Sequence, residues 1–124
     1  MNIVLADREA EIMEVLWDAG PCTVAEVKER VADDLAYTTV LTFLRNLESK
    51  GYVSHDAAGK AHRYSAVIRR DAAQRSALRA IAQKFFKGST ALVLTHLVAD
   101  EKLGDADIKR LRTMLSKRVR KPRA

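Results

Sequence analysis

"LAYTTVLTFLRNLESKGYV", Leu35 to Val53, decides how the rest of the chain is read. Val40, Phe43, Leu44 and Leu47 recur at i, i+3, i+4 and i+7, so the stretch predicts a helix with one apolar stripe facing a core. At 100° per residue the opposite side carries Thr38, Thr42, Arg45 and Ser49, flanked by Thr39, Leu41 and Asn46. Threonine is an indifferent helix former, and a merely solvated face favours Glu and Lys at i, i+4 spacing. The helix has one acid, Glu48, near its far end. Such a face is built to approach something closely. Gly51 ends the helix.

Upstream, Asp7 to Ala19 reads as a first helix. Asp7 is placed to cap it, Glu9 and Glu11 suit the positive end of the macrodipole, and Gly20-Pro21 stops it. Its apolar side is Ile12, Met13, Leu16 and Trp17. "TVAE", Thr23 to Glu26, is a capping box that opens a second helix reaching about Val31. The short "ADDLA" connection makes the second and third helices a helix-turn-helix.

Downstream, Tyr52-Val53 and "HRYSAVI" read as two strands, with "DAAGK" as the hairpin tip. A hairpin directly after the third helix makes the unit a winged helix, in which the third helix enters a DNA major groove. Short hydroxyls permit close approach, a threonine methyl can touch a thymine methyl, and Arg45 can reach a phosphate or a guanine edge.

The remainder is helical. One helix starts near Asp71 and reaches Lys87, with Ala73, Leu78, Ile81 and Phe85 apolar. Ser89 caps "TALVLTHLVA", which is greasy on nearly every side. Asp105 caps a last helix with the stripe Ile108, Leu111, Leu115 and Val119. A small subunit cannot cover all of that surface, so Leu92, Leu94, Leu97, Val98, Leu111 and Leu115 are expected at a homodimer interface. The fold class is therefore mainly α with a small β-hairpin. Residues 1–70 form a winged-helix DNA-binding domain, and 71–124 a helical dimerisation region with a basic tail.

The net charge of +6 is uneven. Residues 1–34 hold nine acids against three bases, and residues 35–124 hold nineteen bases against seven acids. A basic segment fits a polyanionic partner, here double-stranded DNA. No window is apolar enough to span a bilayer, so no membrane insertion is expected. "MNIVLADREAE" turns acidic too early for a secretory signal, and the lone Cys22 suits a reducing cytoplasm. His55, His62 and His96 lack ligand spacing, and there is no Ser/His/Asp set, P-loop or dinucleotide fingerprint. No enzyme activity, metal or cofactor is expected.

"EAEIMEVLWDAGPCTVAEV", the opening stretch itself, "GKAHRYSAV" and, more loosely, "ALVLTHLVADEKL" together resemble the penicillinase-repressor (BlaI/MecI) family of winged-helix regulators. The resemblance implies a dimeric repressor of a palindromic operator. Carried over by position, it implies Thr38, Thr39, Thr42 and Arg45 in the groove, and Lys60, His62 and Arg63 of the wing on the DNA backbone. It also implies a sensor protease as a partner that releases the repressor. In the best-known members the cut falls at an Asn-Phe pair; the matching positions here are Thr95-His96. The copper-responsive relatives' C-terminal cysteine cluster is absent. The competing reading is a winged-helix protein-interaction module without sequence-specific DNA binding.

Overall fold

The computed structural model describes residues 2–59, 61–100 and 102–120. Its elements in order are α1 (Asp7–Ala19), β1 (Cys22–Thr23), α2 (Val24–Arg30), α3 (Tyr37–Ser49), β2 (Val53–Ala58), β3 (Ala61–Ala66), α4 (Arg70–Phe85), α5 (Thr90–Ala99) and α6 (Asp105–Arg120). Contacts group the chain into two units, Met1–Leu78 and Arg79–Ala124.

In the first unit the expected stripe of α3 is the middle of the core. Val40, Leu44 and Leu47 are fully buried with Ile12 and Met13 of α1 and Val27 of α2, while Phe43 is partly buried against them. The strands close the other side through Val53 and Tyr64. The sheet order is β1-β3-β2, all antiparallel. Two residues, Cys22 and Thr23, supply β1, too short a run for alternation to reveal. The hairpin turn is also tighter than the sequence suggests, because Asp56 and Ala57 pair with Arg63 and His62 inside the ladder.

Helix ends follow local chemistry. Thr23 caps α2 reciprocally with Glu26: Glu26 N–H donates to Thr23 Oγ1 at 3.2 Å and Thr23 N–H to Glu26 Oε1 at 3.1 Å. At the end of α3, Gly51 takes φ +83°, the left-handed region open to glycine. Its N–H then reaches Glu48 O and the Tyr52 N–H reaches Leu47 O, both at 2.9 Å, closing a Schellman motif. That motif fixes the angle at which the wing leaves the helix. The cap of α1 departs from expectation. Ala6 holds the cap position, Asp7 is already helical, and Glu9 reaches back to accept the Ala6 N–H at 2.9 Å.

Glu9 is buried, and both its oxygens also accept from Lys50 Nζ at 2.9 Å, tying the start of α1 to the end of α3. Burial pushes the carboxyl up, but the Lys50 and Ala6 hydrogen bonds and the Lys50 charge outweigh it, so Glu9 titrates below its ordinary value of 4.5. A depressed acid stabilises the fold above its unfolded pKa and stops doing so as pH falls through the folded value. Urea midpoints should therefore drop as pH falls below 4.5. Glu9→Gln should flatten part of that drop and lower stability at pH 7 by on the order of 1 kcal/mol. An unchanged acid limb in the variant would contradict this role.

α4 begins among these residues. Ala73 is in the core, and Ser76 Oγ accepts the Ile3 N–H at 2.8 Å and donates to Ile3 O at 3.3 Å. Trp17 Nε1–H donates to Ile68 O at 2.9 Å, and Arg70 lies over the Trp17 ring while pairing with Glu14 and Asp18. In the second unit the Ser89 side chain caps α5 by accepting the Leu92 N–H at 3.0 Å. Val93 is the one residue of α5 that is buried, and among its described residues α6 buries none.

Candidate nucleic-acid interface

On α3, Thr38, Thr39, Thr42, Arg45 and Asn46 are all exposed, in one band opposite the buried stripe. Thr42 Oγ1 donates to Thr38 O at 2.9 Å, one turn back. Its hydroxyl proton is thus occupied, and the side chain offers outward a methyl group and acceptor lone pairs. Among the described residues, Arg45 has no carboxylate partner. The guanidinium therefore keeps its donors for an external acceptor.

Beside this band lies a concavity of about 440 Å³ between α3, the start of α2 and the wing, bordered by Thr23, Tyr37, Leu41, Arg45, His62 and Tyr64. Tyr37 is 50% exposed, which leaves a large ring open at the mouth of a groove. The sequence expectation passed over it, although an exposed aromatic in the first turn of a reading helix was visible.

The wing residues do not act as a block. Lys60 lies outside the described residues. His62 and Arg63 are adjacent in β3, so they fall on opposite faces of the ribbon. His62 lies on the face toward α3. Arg63 is on the other and donates to Glu26 Oε1 at 3.3 Å, in a half-exposed pair that a phosphate would compete for.

A sequence model described as "Penicillinase repressor" matches residues 5–117. The chain belongs to that family. It is 37% identical over 116 residues to the transcriptional regulator BlaI of Mycobacterium tuberculosis, in strains CDC 1551 and H37Rv, a match covering 90% of this chain and 83% of the relative. Bacillus licheniformis BlaI, solved as a monomeric form in complex with the blaP half-operator, is similar at TM-score 0.50 and 25% identity, covering 57% of this chain and 89% of that one. A MarR family protein from Bacillus stearothermophilus shares the fold at TM-score 0.52 and 19% identity, over 94% of this chain and 74% of that one.

The family and the Mycobacterium tuberculosis relatives are transcriptional regulators and not enzymes. Cys22 is buried, and burial, with Glu26 adding, pushes its thiol up, away from reactivity. Among the described residues no group of three or more His, Cys, Asp or Glu is arranged to hold a metal ion. No helix there is long and apolar enough to cross a membrane.

In the second unit Leu92, Leu97, Val98 and Leu115 are 44%, 52%, 59% and 50% exposed. Leu94 and Leu111 are half-buried. Val98, Leu103, Ile108, Leu111, Leu115 and Val119 line an open apolar groove of about 510 Å³. Surface of that kind, in one subunit, calls for a cover.

Proposed function

We infer that the chain is a DNA-binding transcriptional repressor that binds a palindromic operator as a homodimer. Residues 1–70 carry the DNA contacts and the helices of 71–124 carry dimerisation. The observation that bears most weight is the acid-poor band Thr38, Thr39, Thr42, Arg45 and Asn46, exposed beside a wing. The half-operator complex of the Bacillus licheniformis relative supports the same reading. Thr38, Thr39, Thr42 and Arg45 enter the major groove, and Lys60, His62 and Arg63 face the backbone. The open apolar groove of the second unit supports the dimer, because a two-fold partner buries one patch on both subunits. A sensor protease as the releasing partner belongs to the same proposal; the positions matching the family's cleavage pair, Thr95-His96, are both exposed on α5 but carry a different pair of residues.

The test is Arg45→Ala against an operator located by footprinting on the sequence upstream of the chain's own gene, in competition gel shifts with random duplex. If the guanidinium meets a base bidentately, affinity should fall by ~1–3 kcal/mol and specificity should relax at one position. If it meets phosphate alone, specific and random duplex should weaken together. Wild-type binding in both Arg45→Ala and Thr42→Ala would remove α3 from the DNA. Equal, salt-insensitive indifference to every duplex would instead favour a protein-interaction module.

A further inference from the structure

Glu48 is the single acid of α3 and stands on the flank of the band proposed to meet DNA. A carboxylate there opposes a polyanion, so its placement asks for a reason. Both its oxygens lie on His55 Nδ1 of β2, at 2.6 and 2.8 Å. An ionised carboxylate only accepts, so Nδ1 carries the proton, and the ring is held in one tautomer and one orientation. His55 in turn stacks on His62 of β3, with ring centroids 4.7 Å apart and planes 14° from parallel. Tyr64 leans on His55 at 5.3 Å. The ladder makes this possible, since His55 pairs with Tyr64 and Ala57 with His62, which puts all four side chains on the face turned to α3.

We propose that Glu48 and His55 are positioning residues that fix His62 across the concavity from Arg45, so that wing and reading helix close on one DNA backbone as a pair. This rests on the DNA-binding reading above. A two-stranded ribbon alone is a soft element. Clamped through a carboxylate, a fixed imidazole and a stacked second imidazole, it presents His62 without ordering it at the moment of binding. His62 is then the wing residue fixed before DNA arrives, whereas Arg63, on the other face, must leave Glu26 to reach a phosphate.

The experiment is operator binding by fluorescence anisotropy with Glu48→Ala, Glu48→Gln, His62→Ala and the Glu48→Ala/His62→Ala double variant, each first shown to melt like the wild type. Removing a negative charge beside DNA should by itself tighten binding. The proposal requires the opposite sign: Glu48→Ala weakens binding several-fold, and Glu48→Gln, whose amide oxygen can still accept Nδ1–H, restores most of it. In the His62→Ala background Glu48→Ala should no longer weaken binding, because it acts through that ring. The imidazole nitrogen spectrum should show a protonated Nδ1 on His55 that Glu48→Ala abolishes. Tighter or unchanged binding in Glu48→Ala, or weakening that persists without His62, overturns the proposal. Arg45→Ala in the same assay keeps the two readings apart. If it weakens binding while Glu48→Ala does not, only the wing assignment falls. If neither does, the reading of α3 falls with it.

Discussion

Leu97→Asp should turn the protein into a monomer and weaken operator binding by about 10²–10⁴-fold, the range that linking two half-sites supplies. Leu97 is 52% exposed within one chain, so an aspartate there sits in water while the subunit is alone and costs its fold little. In a dimer the same side chain would be an unpaired charge inside an apolar contact, where ionised groups are strongly disfavoured. A large effect on assembly with a small effect on subunit stability therefore points to a second copy. Sedimentation at micromolar concentration and a gel shift with the full operator read the two halves of the expectation. Residues 1–78, which keep Ala73 and Ser76 with the core they join, should bind a half-site weakly. A Leu97→Asp protein that still sediments as a dimer, or a 1–78 fragment as tight on the full operator as the whole chain, would refute the arrangement.

Leu44→Ala should destabilise the first unit by ~2–5 kcal/mol. Leu44 is fully buried where α1, α2, α3 and the strands meet, so the methyls removed leave a void that several elements line. Against total stabilities of about 5–15 kcal/mol this is a large share. The urea midpoint should fall with little change in slope, and DNA binding should survive at low temperature. Leu44 is a support for the reading face and not a part of it. A loss below 1 kcal/mol would mean that the neighbours collapse into the space.

The three helices of the winged unit were legible because each combined a 3.6-residue stripe with a boundary signal: Gly20-Pro21 ending the first, the Thr23/Glu26 box opening the second and Gly51 ending the third. Their agreement is what made the architecture readable. β1 was not, since two residues carry no period, and its partner Tyr64 lies some forty positions away. The exposed band of α3 followed from helical geometry alone. The split of His62 and Arg63 was legible in principle from strand alternation but needed the register of the hairpin. The Glu48–His55–His62 chain could not be read at all. His55 and His62 are seven positions apart, without ligand spacing, and meet only because the ribbon folds back and the Schellman motif aims it at α3.

The hydrogen bond from Trp17 to Ile68, with Arg70 over the ring, also makes the molecule its own optical instrument. Trp17 is the single tryptophan of the chain, and it lies in the first unit, against the segment that leads from the wing into α4. Its emission should shift when that segment leaves the α1 surface, and stay still when the helices after residue 78 melt. Circular dichroism sums helices of both units. Coincident curves from the two signals would mean one cooperative transition. An ellipticity loss that precedes the fluorescence change would mean that the second unit unravels while the first remains folded, and the gap between the curves would measure that difference without any label.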